Sequence, residues 1–283
     1  MKRRGGNPPK TLYHYTTPAG LLGIVKSRTI WATNFNYLND ASEFRYALAT
    51  AQAVVQTRLA RLKRGSAASL LKALLHELRG PSNTWDACVF SLSEDGDLLS
   101  QWRAYCPDGG FAVGFSSSLL RPPLEQQSAY LGPCLYVVQE QRSQLRSMLD
   151  VTLALLGDGP TSPDQSGDAH LGRLKHHFFE ELVRLAPFLK DPSFKEEREW
   201  RAVRHTPIAS MAGLAFRASA SMIIPYMTFP LSDDKHPLEF DQILVGPSPN
   251  QALARQAVAD LLIRHDIRVR SLTLSRIPVR RLE

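Results

Sequence analysis

Thr11-Leu12-Tyr13-His14-Tyr15-Thr16 runs directly into Thr17-Pro18-Ala19-Gly20-Leu21-Leu22-Gly23-Ile24-Val25-Lys26-Ser27, and Ile30-Trp31-Ala32-Thr33-Asn34 follows. The first segment alternates and is rich in β-formers, which predicts a strand. Thr17 offers a hydroxyl cap and Pro18 takes the first helical position, so a short helix covers Pro18–Ser27. Residues 30–34 read as a second strand, and residues 35–40 as a loop. Asp40 or Ser42 then caps a long helix over about 41–63.

Further on, helices are expected over 66–78, 97–105, 141–156, 171–189 and 250–265. Strands are expected over 87–93, 111–115, 135–138, 197–203, 215–219, 223–230, 242–245 and 268–271. Residues 157–169 (GDGPTSPDQSGDA) are a cluster of turn-formers and read as a mobile loop. There is no internal repeat, and strands and helices do not alternate as βαβ units would. The expected fold class is therefore α+β, with mixed and mostly antiparallel sheets flanked by helices. No linker divides the chain, so residues 11–283 are expected to form a single domain behind a flexible basic arm at 1–10.

The composition, 43% hydrophobic and 22% charged, is ordinary for a globular chain, and no apolar run reaches the length of a membrane span. The charges of residues 1–10 have no apolar stretch behind them, which argues against a secretory signal. Cys88, Cys106 and Cys134 are widely spaced, with no C-x-x-C pair, as expected of reduced thiols in a cytoplasmic protein without a metal. Net charge is +7, with clusters at Arg58, Arg61, Lys63 and Arg64 and from Arg264 to Arg281. These read as solvated faces and a basic tail, or alternatively as a nucleic-acid footprint.

Four constellations carry potential chemistry. His14 and Thr16 share one face of the first strand, with Tyr13 and Tyr15 on the other. A histidine placed so either faces a cleft or is satisfied by a neighbouring carbonyl. Trp31, Tyr37 and Asn39 surround the next loop; the indole and the phenol are suited to stacking a planar ring, while Asn39 or Asp40 makes an Asx turn. Ser100 and Arg103 share a helical face and suit a phosphate or carboxylate, unless Arg103 simply pairs with Asp97. In Lys195-Glu196-Glu197-Arg198-Glu199-Trp200-Arg201, a strand starting at Glu197 puts Glu197, Glu199 and Arg201 on one face, with Trp200 and Ala202 in the core. Two carboxylates about 7 Å apart on one strand suit chemistry at a sugar carbon. A solvated edge strand is the plain alternative. No H-E-x-x-H, G-x-S-x-G, Walker or dinucleotide glycine motif is present.

Together, LYHYT with GLLGIVKSRTIWATNFNYLND, FSLSEDGDLLSQWRAY with GGFAVGF, FKEEREWRAV, and the late ILVGP with SRIPVR resemble the bacterial family known as domain of unknown function 2971. More distantly, the arrangement resembles the histidine–tyrosine–glutamate ADP-ribosyltransferases. That resemblance implies an ADP-ribosyltransferase-like fold and NAD as substrate, for ADP-ribosyl transfer to an unidentified protein or nucleic-acid acceptor or for NAD hydrolysis, as in a toxin or defence effector. His14 would anchor a ribose, Glu199 would orient the nicotinamide ribose, and Glu197 would serve the acceptor side. Tyr37 or Tyr105 would stack on nicotinamide, with Tyr15, Thr16, Trp31, Asn39, Ser100 and Arg103 as further nucleotide contacts. A non-catalytic module that binds a small ligand or a partner on the same fold is the alternative.

Overall fold

The computed structural model describes residues 8–38, 42–62, 64–80, 87–157, 167–205, 213–219, 221–232 and 237–278. The opening segment forms β1 (Thr11–Thr16), α1 (Pro18–Ser27) and β2 (Thr29–Asn34), and Thr17 caps α1 by accepting from Gly20 N. Then come α2 (Ser42–Leu59), α3 (Ser66–Arg79), β3 (Ala87–Ser93), α4 (Leu99–Tyr105), β4 (Phe111–Ser116), α5 (Ser117–Gln126) and β5 (Tyr130–Pro133). The chain continues through α6 (Val138–Gly157), α7 (Gly167–Leu185), β6 (Glu199–His205), β7 (Leu214–Ala218), β8 (Ile223–Pro230), β9 (Glu239–Val245), α8 (Gln251–Arg264) and β10 (Arg268–Leu274). The fold is α+β in one domain. Among the described residues ten strands make one sheet, in which only β9 and β10 pair in parallel.

The sheet forks at β3. All seven residues of β3 pair with β6 along one edge. The other edge is shared: β1 meets it at Ser93, and β2 meets it at Val89 and Cys88. β1 continues through β4 and β9 to β10, whereas β2 continues through β8 to β7. Between the diverging strands, residues 90–92 of β3 have no ladder partner on that edge, and this gap positions the site.

One core packs α1, α5 and α8 against the sheet through Leu21, Val25, Leu120 and Val258. A second is built by α2, α3, α6 and α7 around Leu71, Leu74, Leu149, Phe178 and Leu182. Trp200 and Ala202 lie in the first core, as the alternation of β6 predicts.

Several expectations shift. No element was expected between residues 115 and 135, yet α5 and β5 lie there. Pro122 and Pro123 sit inside α5 and argue against a helix from sequence. Gly132 and Pro133 likewise mask β5, which tolerates them because it pairs only with β6. The strand expected over 135–138 is absent: Leu135 makes only an isolated bridge to Leu189, and α6 begins at Val138. Asn39 and Asp40, residues 1–7 of the expected arm, and 158–166 of the expected loop lie outside the described residues.

Candidate functional site

A cavity of about 530 Å³ opens in the fork, lined by β1, α1, β2, β3 and β6, and by Arg217 of β7. His14, Tyr15, Thr16, Trp31, Tyr37, Tyr105, Glu197 and Glu199 all line it. Histidine and glutamates nearly two hundred positions apart meet because β1 and β6 occupy opposite edges of β3, with Ser93 registered to both Tyr13 and Glu199.

His14 turns into the gap in the ladder. Its Nδ1 lies 2.9 Å from the carbonyl of Ser91, and its ring stacks on Phe90 at 4.3 Å. Burial drives the imidazole pKa down to about 4, outweighing the Ser91 bond that raises it. The ring is therefore neutral at pH 7 with its proton on Nδ1, and Nε2 is left as an acceptor with no partner among the described residues. Both sequence readings of His14 hold: one nitrogen satisfies a carbonyl, and the ring lines a cleft. Thr16 sits beside it, its hydroxyl occupying the space that a Cβ on Gly20 would fill. Tyr15 also lines the cavity, but its ring packs on Trp102 and its hydroxyl is taken up, donating to Asp95 O and accepting from Leu98 N.

The floor is an ionic cluster. Glu199, 6% exposed, meets Arg201 Nε at 2.7 Å and Lys190 Nζ at 2.5 Å. Arg201, 1% exposed, also binds Glu43 at 2.6 Å and donates to Pro187 O. Lys190 further contacts Glu197 at 2.5 Å and Glu43 at 3.3 Å. Three carboxylates thus face two cations, leaving one net negative charge when all are ionised. Burial pushes the Glu199 carboxyl up, but Arg201 and Lys190 outweigh it and hold the pKa at about 2. Burial of Glu197 is the larger influence there and raises its carboxyl despite Lys190. The fully buried side chain of Gln141 clamps the Lys190 carbonyl and is held in turn by Tyr46 of α2.

Glu197 is not on the strand. It ends a 3-10 turn over Pro192–Glu197, and Arg198, at φ 42°, redirects the chain into β6. Glu199 and Arg201 share a strand face as expected, whereas Glu197 reaches the cluster from the turn. Ser93 fixes this turn by donating to the Glu197 carbonyl. The result is a division between the carboxylates. Glu199 has both oxygens bonded to cations, and Glu197 keeps Oε1 without a protein partner among the described residues.

Aromatic rings surround the opening. Trp31, 41% exposed, stacks on Tyr226 at 4.7 Å, and Tyr37 and Tyr105 present comparable exposed surface. Burial, then Glu197 and Glu199, pushes the Tyr105 hydroxyl up to about 12, so it stays protonated and can donate. Ser100 and Arg103 do not line the cavity. Ser100 Oγ is buried without a partner, and Arg103 is exposed on α4. The suggested Asp97–Arg103 pair is also absent: Asp97 accepts from Trp102 Nε1, Ser275 Oγ and Arg276 N.

Lys190, Glu43, Arg201 as a pairing partner, Phe194 and Arg217 are cavity residues that sequence reasoning missed. Among the described residues no group of three or more His, Cys, Asp or Glu side chains is placed to hold a metal ion, and no helix is long and apolar enough to cross a membrane. The three cysteines are buried.

No curated protein and no solved structure matches the chain. Residues 101–202, the stretch that carries Lys190, Glu197, Glu199 and Arg201, match the family described as "Protein of unknown function (DUF2971)".

Proposed function

We propose that the fork cavity binds NAD and that the protein cleaves its nicotinamide–ribose bond, as an ADP-ribosyltransferase or an NAD glycohydrolase. The observation that carries this reading is the meeting of a neutral histidine acceptor, two glutamates and several open aromatic rings in one cavity. His14 Nε2 accepts from a ribose hydroxyl. Trp31 or Tyr37 stacks on the nicotinamide ring. As nicotinamide leaves with the bonding electron pair, positive charge develops on the ribose, and the net negative floor stabilises it. Such a preorganised charge contributes on the order of 10²–10³ in rate. Glu197, with an open oxygen and a raised pKa, takes the proton of the attacking water or acceptor hydroxyl, and a C–O bond replaces the C–N bond.

One observation favours a second reading, a non-catalytic module that binds a small ligand or a partner. Glu199, the carboxylate expected to meet the ribose, is already bonded to Arg201 and Lys190. The two readings separate on nicotinamide release by the purified protein beside Glu199→Gln and Glu197→Gln. Release that falls in a folded variant supports catalysis. Equal turnover in Glu199→Gln and wild type would remove Glu199 from the mechanism.

A further inference from the structure

We propose that Arg217 and the Thr33 hydroxyl form an anion subsite in the fork cavity, which takes the phosphate groups of the ligand. Arg217 lines the cavity from β7 and donates from Nη2 to Thr33 Oγ1 at 3.1 Å. Its Nε is buried and has no hydrogen-bond partner, and among the described residues no carboxylate pairs with the guanidinium. The other two cavity cations, Lys190 and Arg201, are each held by carboxylates. Among the described residues, Arg217 is thus a cation whose charge and buried N–H are both unanswered, a costly state that a phosphate oxygen relieves.

The placement fits a phosphorylated sugar. Thr33 lies opposite Val89 of β3, and Ser91, which carries the His14 bond, is two residues further along. The two backbone positions on β3 that carry these contacts are roughly 7 Å apart along the strand, the scale of one sugar. Arg217 stands on the β2–β8–β7 side of β3, and the carboxylate floor on the β6 side. Phosphates are therefore drawn away from the negative floor, while the sugar carbon that turns positive is drawn toward it. Trp31, backed by Tyr226, lines the cavity on the same side as Arg217, and Thr33 and Tyr226 are paired across β2 and β8.

This inference rests on the reading of the cavity as a nucleotide site, and calorimetry with four probes separates the two. The probes are ADP-ribose, NAD, inorganic pyrophosphate and nicotinamide riboside, which has no phosphate. Arg217→Gln is expected to weaken ADP-ribose, NAD and pyrophosphate by about 10- to 100-fold, the range for hydrogen bonds to a charged group. Nicotinamide riboside should bind wild type and variant alike, and Thr33→Val should give a smaller loss in the same pattern. Unchanged ADP-ribose affinity in Arg217→Gln overturns the subsite, as does an equal loss for the riboside or a wild-type protein that binds no phosphate probe. Arg217-dependent pyrophosphate binding without any NAD binding leaves the subsite standing and removes the dinucleotide reading instead.

Discussion

Replacing Arg201 with methionine retains an unbranched apolar stem and removes each polar contact of the guanidinium. Arg201 is 1% exposed and bonds both oxygens of Glu199, one oxygen of Glu43 and the carbonyl of Pro187. Without it, three buried or part-buried carboxylates face Lys190 alone. Removing one partner of a buried ion pair costs about 3–5 kcal/mol, and that is the expected deficit at pH 7. The pH dependence makes the prediction specific. In the wild type, Glu199 is held at about 2 by Arg201 and Lys190 against its burial. In Arg201→Met only Lys190 opposes burial, the largest influence on Glu199, and the folded-state pKa is expected to rise above its unfolded value. A raised carboxyl stabilises the fold at low pH and loses that contribution as pH increases, so the deficit should shrink between pH 7 and pH 5. Urea unfolding at both values, with Arg201→Met and the Arg201→Met/Glu199→Leu pair, measures this. The double variant should recover most of the loss, because the pair leaves together. A deficit below about 1 kcal/mol, the scale of an exposed ion pair, or one that is the same at both pH values, would refute the account of the floor.

Other consequences are open to simpler measurements. Glu197→Gln should leave thermal unfolding within a few degrees of wild type and lower nicotinamide release by about 10²-fold or more, read by chromatography of the products. His14 and His205 both have pKa values lowered from 6.5 to about 4 by burial. Their contribution to stability is complete above pH 6.5 and declines as pH falls toward 4, by at most about 1.4 kcal/mol per pH unit for each histidine. Replacing both by asparagine should flatten that part of the stability–pH curve. Gly246→Ala would place a Cβ 2.7 Å from Trp102 Cζ3 and 3.0 Å from Gly110 O. A destabilisation of about 1–3 kcal/mol is expected there, visible in urea denaturation.

The parts of the site that the sequence reveals are those carried by local periodicity. Alternation in β1 separates His14 from Tyr13 and Tyr15, and alternation in β6 sets Glu199 and Arg201 against Trp200. Trp31 and Tyr37 are recognisable as large rings flanking a short loop. Contacts between distant segments leave no such local mark. Glu43 and Arg201 are 158 positions apart, and neither has a neighbour that announces the other. Lys190 follows an apolar run that reads as the end of a helix, although a 3-10 turn over Ala186–Phe188 ends the helix earlier. The left-handed backbone at Arg198 explains the misplacement of Glu197, because a charged run such as EEREW looks like uninterrupted strand. Arg217 is one arginine in the five-residue strand β7, and only the pairing of β7 through β8 to β2 brings it to the cavity.

The proposed activity of the fork cavity is cleavage of NAD. Its most direct test is free nicotinamide produced from NAD by the purified protein, alone and with cell lysate or nucleic acid added. The account predicts release that depends on His14 and Glu197, with ADP-ribose or an ADP-ribosylated acceptor as the second product. NAD bound in the cavity with no nicotinamide released under any of these conditions would contradict it and leave a binding module in its place.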